Sequence, residues 1–236
     1  MAPFLKRARL FFNNLSNHLS GNSRSVTSNQ EGIHPDLEVT IKRHLQKTYQ
    51  KPVPEYVNDI LDQIEKKRQE IRGNLILDSG CGIGASTIKL AEQFPDDLVV
   101  GIDQSENRLS KSEEKNNTLF FRANLIDVWL LMEKNKWKVD QHYLLYPNPW
   151  PKKKHLQRRW HGHPVFPSLL NLGGKLELRS NWKIYMDEFS QAVEIVTNYS
   201  SSVEEFIPSE ILTPFEKKYH SSGQKIYRYG INVRSL

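Results

Sequence analysis

The sequence is poor in cysteine and has no long apolar run. Cys81 is the single cysteine among 236 residues, so no internal disulfide can form. No stretch approaches the ~20 apolar residues that cross a bilayer. Leu10-Phe11-Phe12, between Arg9 and Asn13, is too short for a secretory signal core, and no small-residue cleavage site follows. The cytoplasm is therefore the expected location, with no membrane partner. Metal-ligand patterns are also scarce. His155, His161 and His163 lie close together, but no cysteine is nearby and no carboxylate interleaves them, so no metal is expected. An acidic excess is absent as well: 33 Lys and Arg face 27 Asp and Glu, a net charge of +6. With a pI of about 9.2, the chain permits a nucleic-acid partner without requiring one. Apolar content of 38% and charged content of 25% are ordinary for a soluble fold. The length suits one sizeable α/β domain with extensions.

One stretch organises what is there. Leu75-Ile76-Leu77-Asp78 is a short apolar run that suits a buried parallel strand. Gly80, Gly82 and Gly84 follow at alternate positions, a loop able to turn tightly and bring backbone N–H groups close to a ligand. Ala85 to Glu92 suits a helix, and a second apolar run, from Leu98, ends in Asp103. In a nucleotide-type site Asp103 would accept hydrogen bonds from a ribose diol. The spacing is Asp-x-Gly-x-Gly-x-Gly rather than the dinucleotide G-x-G-x-x-G. A carboxylate at Asp78 would repel a pyrophosphate. It favours a cationic ligand such as the amino-acid end of S-adenosylmethionine, met directly or through water. A glycine-rich turn in some other α/β protein is the plainer alternative, disfavoured by the acid at each end of the unit.

Around this unit the chain reads as an arm and one domain. Residues 1–34 are a basic arm with Lys6, Arg7, Arg9 and Arg24. Phe4 to Leu15 can form a short amphipathic helix, and the polar stretch from Ser20 to Gln30 is expected to be flexible. Residues 35–236 form the domain. Helices are expected over Asp36 to Gln50 and Glu55 to Arg72, packed beside a sheet edge. A polar helix is expected over Ser105 to Lys115. Strands follow at Thr118 to Arg122, Asp140 to Tyr146, Lys175 to Arg179, Val203 to Ile207 and Ile226 to Val233. Helices lie between them at Leu125 to Lys136, Phe166 to Asn171 and Tyr185 to Thr197. The alternation indicates a Rossmann-like, doubly wound, mostly parallel seven-stranded α/β sheet.

Ligands of such sheets bind beyond the carboxyl ends of the strands. The fourth strand runs into Tyr146-Pro147-Asn148-Pro149-Trp150-Pro151-Lys152-Lys153-Lys154. Three prolines stiffen the segment. Asn148 offers a donor and an acceptor to a nucleobase edge, and Trp150 can stack or pack. Lys152, Lys153, Lys154, Arg158 and Arg159 place five positive charges in eight residues, a density suited to phosphates, though such a run is also an ordinary solvated face.

Tyr146 to Lys153 resembles the Pro-Asp-Pro-Trp-x-Lys signature of the bacterial tRNA (guanine-N7)-methyltransferases. Three further stretches agree in order: Arg158-Arg159; Gly173-Gly174 with Ser180-Asn181-Trp182-x-x-Tyr185; and Thr213-Pro214-Phe215-Glu216 with Gly223. The resemblance covers roughly residues 74 to 233. It implies the class I methyltransferase fold, S-adenosylmethionine as cofactor, tRNA as partner and methyl transfer to guanine N7. It implies that Asp78, Gly80, Gly82, Gly84, Asp103 and Asn124 hold the cofactor, with Asn124 near its adenine. Asn148 would stand at the reaction centre, and Lys152, Arg158, Arg159, Asn181, Thr213 and Glu216 would meet the substrate. This chain has Asn at 124, 148 and 181 where the family has Asp, and Asp78-Ser79-Gly80 where the family ends its first strand in Glu. Two alternatives stay open: a methyltransferase of the same fold acting on a small molecule or another RNA, and a non-catalytic RNA-binding relative. Monomer and homodimer are equally compatible with the sequence.

Overall fold

The computed structural model describes residues 21–112 and 114–233. The helix expected over Phe4 to Leu15 lies outside them. Seven strands form one sheet: β1 (Leu75–Ser79), β2 (Leu98–Asp103), β3 (Thr118–Arg122), β4 (Gln141–Leu145), β5 (Gly174–Ser180), β6 (Val203–Glu205) and β7 (Tyr227–Val233). Their order is β3-β2-β1-β4-β5-β7-β6. β1 to β5 are parallel neighbours, whereas β7 runs antiparallel to both β5 and β6. Every residue of β1 and β2 is buried, as apolar runs covered on both faces require. The strand order reverses between β1 and β4, which opens a crevice at their carboxyl ends.

The helices are α1 (Leu37–Gln46), α2 (Tyr56–Ile71), α3 (Ala85–Gln93), α4 (Glu106–Leu109), α5 (Leu125–Lys134), α6 (Phe166–Asn171), α7 (Lys183–Thr197) and α8 (Pro214–Ser221). Val57, Ile60, Leu61 and Ile64 form the buried stripe of α2, at the helical spacing seen in the sequence. Three expectations need correction. First, α1 and α2 do not flank a sheet edge: α1 packs on α7, and α2 packs on α5 and β2. Second, the helix expected over Ser105 to Lys115 shrinks to the four residues of α4. There the Ser110 and Ser112 hydroxyls donate to the Asn107 and Leu109 carbonyls, a local alternative to helix propagation. Third, the described part of the arm is tied to the domain. Gly21 N–H donates to the Ser221 carbonyl, Ser28 Oγ to the Pro151 carbonyl, and Gln30 and His34 are buried.

A buried polar knot fixes this arrangement. Glu188, on α7, is fully buried. Its Oε1 accepts from Gln30 Nε2 at 2.5 Å and His34 N–H at 2.9 Å. Its Oε2 accepts from Arg159 Nη1 at 2.5 Å and pairs with His161 Nε2 at 2.9 Å. Arg159, also fully buried, spends its other donors on the Gln30 amide oxygen and the carbonyls of Trp150 and Lys152. Burial alone would raise the Glu188 pKa, but the His161 hydrogen bond and the Arg159 charge outweigh it and hold the carboxyl at about 2. Burial lowers the pKa of His161 against the pull of Glu188; its Nε2 faces the carboxylate and its Nδ1 has no partner.

Among the described residues no helix is long and apolar enough to cross a membrane, and no three His, Cys, Asp or Glu side chains gather to hold a metal. His161 is committed to Glu188, and His163 packs edge-on to Tyr49.

Removing one partner of a buried ion pair strands the other charge, at a cost of about 3–5 kcal/mol. Glu188→Leu and Arg159→Met are each expected to lower the unfolding free energy by about that amount. The double variant should lose less than the sum. Denaturant unfolding checks this, and strict additivity would contradict it.

Candidate active site

The crevice at the strand reversal holds a cleft of about 740 Å³, within the ~300–1,000 Å³ usual for small-molecule sites. Its floor is the β1–α3 turn: Ser79, Gly80, Cys81 and Gly82 line it. Asp78, at the carboxyl end of β1, lies buried beneath. The Ser86 and Thr87 hydroxyls both donate to its Oδ2, at 2.6 and 2.7 Å, while Oδ1 has no partner. Burial outweighs those hydrogen bonds and pushes the Asp78 pKa up to about 6. Gly80 and Gly82 have positive φ, and a side chain at either would project into open space above the floor. Gly84 differs. A Cβ there would stand 2.6 Å from Phe120 and 2.8 Å from Ser112, so this glycine serves packing of the turn.

Two further strand ends complete this half. Asp103, on β2, accepts from Gly82 N–H at 2.9 Å through Oδ2. Its Oδ1 takes Ser105 N–H at 2.7 Å and the half-exposed Arg108 at 2.9 Å. A ribose diol would displace Arg108 to reach that oxygen. Asn124 follows β3 and caps α5, its Oδ1 accepting from Ile126 N–H at 2.9 Å. Asn serves such a cap as well as Asp does.

The other half is built by the segment after β4. Tyr146, Pro147, Asn148 and Pro149 line the cleft with Asn181, Thr213, Pro214, Phe215 and Tyr219. Tyr146 and Trp150 hold φ of +55° and +45°, left-handed values that side chains other than glycine rarely take. Surrounding contacts impose them. Tyr146 Oη donates to Glu216 Oε1 at 2.8 Å, Arg159 grips the Trp150 carbonyl, and Arg158 lies 4.8 Å over the Trp150 ring.

The expected substrate residues therefore separate. Asn148, Asn181 and Thr213 line the cleft. Lys152 lines a neighbouring groove with Lys153, Lys154, Ser28 and Asn29. Arg158 is exposed on the same basic strip. Two residues turn inward. Arg159 is consumed by the Glu188 knot. Glu216 is fully buried and accepts from Tyr146, from Arg179 at 2.9 Å and from Leu212 N–H at 2.7 Å. Thr213 accepts from Glu216 N–H at 2.9 Å, with proline at the first turn of α8. The Thr-x-x-Glu pattern is thus close to a capping box, a helix-start signal legible in the sequence. Sequence reasoning also passed over Arg108, Tyr219 and Gln224, which carry no motif of their own, whereas Phe215 lies in the Thr213-Pro214-Phe215-Glu216 motif and lines the cleft as the resemblance implies. Cys81 is buried, its pKa raised by that burial, so the lone thiol is not poised as a nucleophile.

A doubly wound sheet with a glycine turn after β1, an acid at the end of β2 and a cleft walled by the segment after β4 is the architecture of class I methyltransferases. A family model described as "Putative methyltransferase" matches residues 72–229. The tRNA (guanine-N(7)-)-methyltransferase of Mycoplasma genitalium is 30% identical over 200 residues, covering 76% of this chain and 90% of that one. The protein of the same name from Aquifex aeolicus is 27% identical over 168 residues, covering 66% of this chain and 55% of its own length. The chain thus spans about half of that second relative. The crystal structure of the 16S rRNA methyltransferase KamB superposes with a TM-score of 0.57 at 16% identity, covering 78% of this chain and 95% of that one, a likeness of fold. The chain belongs to the tRNA (guanine-N7)-methyltransferase family.

It is an S-adenosylmethionine-dependent methyltransferase, and the site fits that cofactor. The orphaned Asp78 Oδ1 awaits a donor above a floor left open by Gly80 and Gly82. A cationic ligand amine favours the ionised Asp78. Cofactor affinity should therefore rise as pH increases through about 6, where the free carboxyl ionises, and level off above it. Calorimetry at several pH values checks this, together with proton release on binding near pH 6. Asp78→Asn should flatten the profile.

Proposed function

We propose that the chain transfers a methyl group to N7 of a guanine in tRNA. One observation carries the reading. The segment from Tyr146 to Arg158 walls the cleft with its first half and bears Lys152, Lys153, Lys154 and Arg158 on its second. A single loop thus joins the reacting end of the cleft to a strip of phosphate-binding charge. The names of the relatives supply the particular base and the particular RNA.

Asp78, Gly80, Gly82, Asp103 and Asn124 hold the cofactor, with Gly84 packing the turn. When bound, S-adenosylmethionine supplies an electrophilic methyl on its sulfonium. Guanine N7 has an in-plane lone pair and no proton at neutral pH, so this chain needs no general base. Its residues bring the base to within about 3–3.5 Å of the methyl and align it. Asn148, exposed at the cleft and flanked by two prolines, orients the base through hydrogen bonds and withdraws no proton. That work is open to an amide as well as to a carboxylate, which accounts for Asn where the family has Asp. Lys152 and Arg158 take backbone phosphates. A tRNA substrate supports a cytoplasmic location.

Purified protein, tritiated S-adenosylmethionine and bulk tRNA from a strain lacking this protein should yield label in 7-methylguanosine. Label in another nucleoside would mean a different base specificity, and no label with the cofactor bound would overturn the proposal. Replacing Lys152, Lys153 and Lys154 by Glu should weaken tRNA binding and flatten its dependence on log salt by about 2–3, with cofactor affinity unchanged.

A further inference from the structure

Guanine differs from adenine by the donors N1–H and the exocyclic amine beside it, so a site that selects guanine needs an acceptor for that edge. Glu216 is buried behind Tyr146 and Arg179 and does not line the cleft. Asp103 is the one carboxylate among the described lining residues, and it lies at the β2 end. The substrate half therefore reads its base with neutral groups.

Asn181 lies there with Thr213, Phe215 and Tyr219. Its amide is oriented by a chain of hydrogen bonds that ends on a main-chain group. Gln224 Nε2 donates to the Ser23 carbonyl at 3.0 Å, and Gln224 Oε1 accepts from Asn181 Nδ2 at 2.7 Å. The Ser23 carbonyl can only accept, so it fixes which end of the Gln224 amide faces it. That choice leaves only the Gln224 oxygen for Asn181, which must answer with its NH₂. Asn181 Oδ1 remains, with no hydrogen bond among the described residues, on a side chain that lines the cleft. The polarity follows from the carbonyl at the end of the chain and does not depend on telling nitrogen from oxygen within either amide.

We infer that Gln224, anchored on Ser23, is a positioning residue that fixes Asn181 with its carbonyl oxygen toward the substrate, where it accepts from the donor edge of the guanine. The inference rests on the guanine reading above and deepens it. It gives the strap at residues 21–34 a part in base selection, because Ser23 sets the polarity of the chain. It also explains how Asn can stand at position 181: a locked amide presents the acceptor that a carboxylate would present in any orientation.

The test reverses the polarity. In Gln224→Lys an ammonium faces Asn181, which must then turn its oxygen inward and its NH₂ toward the base. With saturating cofactor, KM for tRNA should rise about tenfold or more, with a smaller change in kcat. Adding Asn181→Asp should recover most of the loss, since a carboxylate pairs with the ammonium at one oxygen and presents the other to the base. A purely structural role for Gln224 gives no reason for that rescue. Melting temperature and cofactor affinity report whether each variant is folded. If Gln224→Lys does not fold, Gln224→Met removes both hydrogen bonds without adding charge, and a rise in KM of about threefold is expected. Wild-type kinetics in a folded variant, or a Gln224→Lys defect that Asn181→Asp leaves in place, would overturn the inference while the guanine reading stands. Absence of 7-methylguanosine from the wild-type reaction would overturn both.

Discussion

The reacting end of the cleft depends on one buried carboxylate. Glu188 meets Arg159 and His161 from the segment after β4, and Gln30 and His34 from the N-terminal strap. Arg159 then grips the carbonyls of Trp150 and Lys152. The left-handed backbone at Tyr146 and Trp150 costs about 1–3 kcal/mol at each residue. It persists because contacts at both ends over-determine the loop: Glu216 holds the Tyr146 hydroxyl and Arg159 holds the Trp150 carbonyl. A carboxylate on α7 therefore shapes a loop whose side chains it does not share with the substrate.

The two halves of the cleft use different chemistry. On the proposed reading the cofactor half carries the carboxylates Asp78 and Asp103, one with an unpartnered oxygen and one shielded by Arg108. The substrate half presents amides, a hydroxyl and aromatic rings, with fixed positive charge set outside it on the basic strip. This division suits methylation of a ring nitrogen that already owns its lone pair. Negative charge is useful where a cationic cofactor sits, while the base needs alignment and an acceptor of defined direction. The Asn residues at 124, 148 and 181 then fit the proposed reaction one by one: the first caps a helix as Asp would, the second would align the base without deprotonating it, and the third is held by Gln224.

The placement of the glycine turn and its flanking acids at one end of the sheet was legible in the sequence because its signals are local. A buried strand, alternate glycines and a following acid lie within 29 residues, and the structure brings Asp78, Gly80, Gly82, Asp103 and Asn124 to neighbouring strand ends. Helix α6 also has the expected bounds. What the sequence hid is which charge meets which buried partner. Arg158 and Arg159 are adjacent and look alike, yet one lies on the surface over Trp150 and the other meets Glu188, 29 positions further along the chain. Glu216, expected to meet the substrate, is instead consumed by three partners, Tyr146, Arg179 and Leu212, that only the fold assembles. The polar strap at 21–34 looked flexible for the same reason: its hydrogen-bond partners are far away in sequence.

The most direct test of the account is amide hydrogen exchange in Glu188→Gln, compared with the wild-type protein and read alongside methyl transfer. The substitution keeps the shape of the side chain and removes the charge that Arg159 requires. Faster exchange is expected in residues 146–160 and 21–34 together, with β1 to β3 unchanged, cofactor affinity retained and tRNA methylation lost. Faster exchange in those two segments with methyl transfer intact would contradict the claim that the Glu188 knot sets the reactive shape of the loop.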